Sequence, residues 1–189
     1  MAQNLTSVDW STIPTPQDDG KANHLTGMSL PDLTLPTTDD RDLTLNSLKG
    51  LTILYIYPMT GPQSGILPQG WNEIPGARGC TPQSCSFRDH HQELKQAGAS
   101  AVFGLSTQDS DYQKEAATRL HLPFPLLSDA DLSLANALNL PRFEVDGKTL
   151  LKRITLILKD TKVVKTFYPV FPPDQDATNV LAWLKGNAT

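Results

Sequence analysis

An α/β layered fold is predicted from two observations. Apolar runs of strand length, such as Leu51-Thr-Ile-Leu-Tyr-Ile-Tyr57 and Ala101-Val-Phe-Gly-Leu105, alternate with stretches whose apolar residues recur at helical spacing. At 189 residues and 39% hydrophobic, the chain is long enough for one domain with a sizeable core and too short for two.

Residues 1–27 read as a loosely ordered lead-in, polar and interrupted by Pro14, Pro16, Asp18, Asp19 and Gly20, with Trp10 and Ile13 available to pin it to the body. Residues 28–189 form the domain. Leu30–Pro36 alternates apolar and polar residues as a short edge strand does, and Leu43–Leu48 reads as a second edge element. Lys49-Gly50 turns into the central strand Leu51–Tyr57, which Pro58 stops. From Pro58 to Gly79 there are five glycines and four prolines without periodicity, so residues 59–78 are an inserted long loop, and because it delivers a cysteine it reads as an active-site wall.

A helix is expected from Pro82 to about Ala97, on Phe87, His91 and Leu94 at i, i+4, i+7 and Gly98 as its stop. After the strand Ala101–Leu105, Asp109 or Ser110 caps a helix carrying Tyr112, Ala116 and Leu120 on one face. Leu122–Leu127 is a short extended piece and Leu132–Leu138 a short helix. Lys148–Leu158 and Val163–Tyr168 pair as an antiparallel hairpin through a turn at Lys159–Lys162, and Asp176 or Thr178 opens a last helix with Val180, Leu181 and Leu184 inward.

Gly79-Cys80-Thr81-Pro82-Gln83-Ser84-Cys85 holds both cysteines of the chain. Cys80 falls at or just before a helix's first turn, where unpaired backbone N–H groups and the positive end of the helix dipole favour a thiolate, the nucleophilic form. Five residues along a helix put the two Cα atoms roughly 8–9 Å apart, whereas a disulfide spans ~4.4–6.8 Å. Pairing of these cysteines therefore requires the first turns of the helix to unwind. Read as zinc ligands, Cys80, Cys85, His90 and His91 do not converge on one point along one helix, so no metal site is expected. A net charge of -4 offers no footprint for nucleic acid or an anionic membrane. Met1–Trp10 lacks the basic flank and apolar core of a signal peptide, and a cytoplasmic location is expected, where a disulfide is transient and catalytic.

Taken together, the strand ending in Tyr57-Pro58, Gly79-Cys80-Thr81, the second cysteine five residues on and Phe87-Arg88-Asp89 resemble the peroxiredoxins, in particular the Q-type or bacterioferritin-comigratory group. Gly104–Asp109, Leu122-Pro-Phe-Pro-Leu-Leu-Ser-Asp129 and Lys152-Arg153-Ile-Thr155-Leu156 resemble further segments of that family. The resemblance implies a thioredoxin fold with a mixed central sheet flanked by helices. It implies a thiol-dependent peroxidase for hydrogen peroxide and organic hydroperoxides, with Cys80 as the peroxidatic and Cys85 as the resolving cysteine, joined in an intramolecular disulfide. It also implies Arg153 beside the thiolate, recycling by thioredoxin or a glutaredoxin-like reductant, no cofactor, and a monomer or weak homodimer.

The family pattern Pro-x-x-x-Thr-x-x-Cys is broken: the positions seven and three before Cys80 are Glu73 and Ala77. Pro58 occupies the family's place at the strand end with about 15 residues inserted after it, and Thr60 or Thr81 replaces the missing hydroxyl. Pro58, Thr60, Gly79 and Thr81 are thus the expected substrate-binding residues. Two other readings of the cysteine pair stay open: a redox-sensing module without significant turnover, and a thiol-disulfide oxidoreductase, against which the absent Cys-x-x-Cys argues.

Overall fold

The computed structural model describes residues 8–187; the opening of the lead-in, residues 1–7, and the last two residues lie outside the described residues. Strands β1 (Thr34–Pro36) and β2 (Asp42–Thr44) are followed by β3 (Leu51–Ile56), α1 (Cys80–Asp89), α2 (His91–Gln96), β4 (Ala99–Ser106), α3 (Ser110–Arg119), β5 (Leu126–Ser128) and α4 (Ser133–Ala137). Strands β6 (Arg142–Val145), β7 (Lys148–Leu151), β8 (Ile154–Lys159) and β9 (Lys162–Phe167) lead to α5 (Asp176–Gly186).

Five strands form one mixed sheet in the order β5-β4-β3-β8-β9, with β3 parallel to β4 and antiparallel to β8. Central β3 is apolar at every position but Thr52, and both of its faces are covered. Leu54 and Ile56 join Leu156 and Leu158 in one core. Ile53, Tyr55 and Tyr57 face the other, with Phe87 of α1, Leu94 of α2 and Val180 and Leu184 of α5. The Tyr55 and Phe87 rings stack 4.4 Å apart, which seats α1 against the sheet.

Local signals hold where they were strong. Asp109 caps α3 by accepting from the Tyr112 N–H at 2.8 Å, and Gly98 turns the chain after α2 at a φ of 105°. Four expectations change. The predicted helix to Ala97 is broken at His90, whose Nδ1–H donates to the Ser86 carbonyl at 2.9 Å and shares that acceptor with its own backbone N–H. The predicted strand Lys148–Leu158 is two strands separated at Lys152-Arg153, and its first half pairs with β6 across Asp146-Gly147, both at positive φ as a two-residue hairpin turn requires. The two edge elements pair with each other as β1 and β2, outside the main sheet, and residues 45–47 form a 3₁₀ turn. The described part of the lead-in is not loose: Ile13, Ala22 and Leu25 are buried, and the Trp10 indole N–H donates to Asp174 at 2.9 Å. Trp10 and Ile13, named above as available to pin it, are joined by Ala22 and Leu25.

The inserted loop has a small core of its own, in which Trp71 and Ala77 pack with Leu150, Phe143 and Val145 of the β6–β7 hairpin. Among the described residues no helix is long and apolar enough to cross a membrane.

Gly104 in β4 leaves no room for a side chain, since a Cβ there meets Tyr55 Cζ at 2.5 Å and Leu126 Cδ2 at 2.6 Å. Gly104→Ala is therefore expected to destabilise the protein by about 1–3 kcal/mol, read as a lowered urea midpoint.

Candidate active site

Cys80 is the first residue of α1. Gly79 ahead of it caps the helix at a φ of 108°, and a Cβ on Gly79 meets Pro173 Cγ and Trp10 Cη2, each at 2.7 Å, so neither the backbone angle nor the space admits another residue. β3 ends at Pro58, and the next backbone N–H, that of Met59, points at Cys80 Sγ from 3.4 Å. Arg153, where the chain breaks between β7 and β8, places Nη2 3.3 Å from the same sulfur. The thiol itself is oriented toward the Ala77 carbonyl at 3.7 Å.

Arg153 is 3% exposed, and such a charge needs partners on several sides. Its Nη2 also donates to the carbonyls of Gly76, Ala77 and Arg78 at 3.2, 3.1 and 3.2 Å. Its Nη1 donates to Gln83 Oε1. Gln83 Nε2 donates in turn to Asp176 Oδ2 at 2.7 Å, an oxygen that also accepts from Thr155 Oγ1 at 2.7 Å. A buried chain thus runs from the sulfur through the guanidinium and an amide to a carboxylate at the start of α5. Burial pushes the Asp176 carboxyl up to about 6, while the Thr155 and Gln83 hydrogen bonds and the Arg153 charge hold it from rising further.

Of the residues singled out in the sequence, Cys80, Arg153, Gly79 and Pro58 with its following N–H are brought together. Thr81, the second residue of α1, lines a cavity of only 10 Å³ at Cys80 with Met59, Leu67, Trp71 and Arg78. Thr60 is buried nearby, but its hydroxyl and N–H donate to Gln108 Oε1 at 3.2 and 3.0 Å and its carbonyl accepts from the Tyr112 hydroxyl at 2.9 Å. Its hydroxyl is therefore held by Gln108. Cys85 is not brought to Cys80: α1 is intact between them, both thiols are free, and Cys85 is half-buried. Burial pushes the Cys85 thiol up, opposed by the nearby Arg88. Arg88 is tied to Asp89 and to the Leu120 carbonyl, each at 2.8 Å, in a structural role.

Gln83, Asp176 and the Met59 N–H are site components that sequence reasoning missed. Gln83 sits three residues after Cys80, on the same helix face, and that spacing is a signal that was available. Asp176 had the features of an ordinary helix start, and only the fold carries it beneath the arginine.

A family model described as Redoxin matches residues 25–181. The chain is 33% identical over 161 residues to a chloroplastic peroxiredoxin Q of Populus jackii, covering 84% of this chain and 67% of that protein. It is 34% identical over 143 residues to a chloroplastic peroxiredoxin Q of Oryza sativa subsp. japonica, of which it spans 58%. Among solved structures it superposes on peroxidoxin BcpB from Mycobacterium tuberculosis with a TM-score of 0.68 at 27% identity, covering 87% of this chain and 98% of that one. The bacterioferritin comigratory protein of Xanthomonas campestris, in a structure reported for its alkyl peroxide reduction activity, gives a TM-score of 0.65 at 26% identity over 86% of this chain and 98% of that one. The expected thioredoxin fold is thereby shown.

Because the folded value of Asp176, about 6, lies above the ordinary 3.8, the folded state holds this proton more tightly than the unfolded one. The associated stability is full below the unfolded pKa and is lost as pH rises through the folded one. The urea midpoint of the wild type is expected to carry a decline between about pH 4 and pH 6 that Asp176→Asn, which has no proton to lose, removes.

Proposed function

Since the chain belongs to the redoxin family, and within it to the Q-type peroxiredoxins, we propose that it is a thiol-dependent peroxidase whose nucleophile is Cys80. The observation that carries this reading is the convergence of Arg153 Nη2 at 3.3 Å and the Met59 N–H at 3.4 Å on a sulfur at a helix N-terminus. Both donors stabilise a thiolate and the negative charge that develops on the peroxide oxygens in the transition state. The Cys80 thiolate attacks the terminal oxygen of ROOH, an S–O bond forms as the O–O bond breaks, and the departing alkoxide takes the hydroperoxide proton to leave as ROH. Cys80 is then a sulfenate, which takes a proton from solvent to become the sulfenic acid.

Cys85 resolves it: its sulfur attacks Cys80, water leaves and an intramolecular disulfide forms. The two sulfurs meet only after the first turns of α1 unwind, which frees Gln83 from Arg153 and Asp176. A thioredoxin or glutaredoxin-like dithiol then reduces the disulfide, which calls for a reducing compartment, cytoplasmic in this reading. The protein works as a monomer or weak homodimer. Thr81, Gly79, Pro58 and Thr60 shape the peroxide site, Thr81 from the cavity wall and Thr60 by holding the loop through Gln108 and Tyr112.

A cavity of 10 Å³ has room for about one water molecule, so hydrogen peroxide enters with little adjustment and an organic hydroperoxide enters only as the loop yields. The same closure favours a second reading, a redox sensor that reacts without turning over. Sustained NADPH oxidation with thioredoxin and its reductase supports the enzyme; a single turnover supports the sensor.

In that coupled assay Cys80→Ser is expected to abolish peroxide consumption. Cys85→Ser is expected to complete one oxidation and then stall, with the sulfenic acid on Cys80 detected by mass spectrometry. Trp71 closes the cavity, so Trp71→Ala is expected to raise kcat/KM for cumene hydroperoxide relative to that for hydrogen peroxide by about tenfold.

A further inference from the structure

A second cavity, of 360 Å³, is lined by Arg153 and lies between the lead-in, the end of the loop before Cys80 and the segment after β9. Its size is that of a small-molecule site. Pro16, Pro75, Phe143 and Val170 give it an apolar wall, and Lys152 and Arg153 give it a cationic one. Lys152 is held by Asp19 at 2.8 Å, and Asp19 also accepts from the Tyr168 hydroxyl at 2.7 Å, so one carboxylate answers one of the two cations. Arg153 is the less answered. Four acceptors share its Nη2 and Gln83 takes its Nη1, but its Nε, buried from solvent, finds no partner among the described residues. No carboxylate among the described residues pairs with this guanidinium either, so its charge is open to an anion in the cavity that it lines.

We propose that this cavity binds a small carboxylate with an apolar body, whose anionic head pairs with Arg153 and whose body lies against Phe143, Val170 and the two prolines, and that binding there restrains Cys80. The coupling rests on the preceding reading of Cys80 as a thiolate nucleophile. One guanidinium serves both sites, so an anion at the cavity weakens the hold on the Cys80 thiolate and slows its attack on peroxide. By reciprocity the thiolate weakens the carboxylate. The loop before Cys80 contributes Pro75 and Gly76 to this cavity, and the lead-in contributes Thr15, Pro16, Gln17 and Asp19.

Benzoate is the probe, titrated into the reduced full chain by calorimetry, with benzyl alcohol as the same body lacking the charge. Benzoate is expected to bind, and benzyl alcohol to bind about tenfold more weakly, the worth of one charge-assisted hydrogen bond. Val170→Trp fills the cavity and is expected to abolish binding. Exposed Thr15→Glu, which brings a competing carboxylate to the rim without touching the core, is expected to weaken it. Cys80→Ser, which removes the competing thiolate, is expected to bind benzoate more tightly than the wild type. No heat at millimolar benzoate, equal binding of benzyl alcohol, or unchanged affinity in Thr15→Glu overturns the site; equal affinity of the wild type and Cys80→Ser overturns the coupling. Binding is read without peroxide, so a failed peroxidase assay and a failed site are told apart.

Discussion

A single buried guanidinium holds the working parts of this molecule in register. Arg153 enters from the break between β7 and β8, and its Nη2 gathers three successive carbonyls, those of residues 76–78, together with the sulfur of Cys80. Through Gln83 it also grips α1, and through Gln83 and Asp176 the start of α5. Sheet, helix, inserted loop and C-terminal helix therefore meet at one charge. A buried ion of this kind adds little net stability when fully partnered, but it leaves a severe penalty if any arrangement other than the native one is tried. Its contribution is to specify where the sulfur stands.

That arrangement explains how a loop as long as residues 59–78 is tolerated immediately before Cys80. Lengthening a loop costs little closure entropy, because the cost grows only with the logarithm of its length. The danger is to the position of the cysteine that the loop delivers, and here the loop is fixed at both ends. Met59 is held by the sulfur and Thr60 by Gln108 and Tyr112, while residues 76–78 are held by Arg153. Between these ends Trp71 packs on the β6–β7 hairpin, so the insertion brings its own apolar support.

Much of this was legible in the sequence, for physical reasons that differ from part to part. Cys80 at a helix start, the Asp109 cap and the Gly98 stop are consequences of neighbours within a few residues, and local chemistry announces them. Arg153 was legible through family resemblance alone, since nothing in a strand-edge arginine says which sulfur it will reach 73 residues away. Asp176 was out of reach for a related reason: a carboxylate that opens a helix is ordinary on a surface, and its burial follows from how α5 packs beside α1, within reach of Gln83 and Thr155. The β6–β7 hairpin was a different matter, because Asp146-Gly147 is a strong local turn signal standing immediately before the run read as a single strand from Lys148. Thr60 shows the limit most clearly: its hydroxyl lies in the expected neighbourhood and is spent on Gln108.

The two thiols differ in a way that bears on how this chain looks to a chemist. Cys80 is 3% exposed beneath Trp71 and Leu67, whereas Cys85, a turn and a half along the same helix, is open to solvent on one side. Bulky tagging reagents such as biotin-maleimide sort cysteines by access before they sort them by nucleophilicity, so in the closed form they mark Cys85 and pass over Cys80. A proteome-wide survey built on such tags registers this chain through Cys85, and Cys80 goes uncounted.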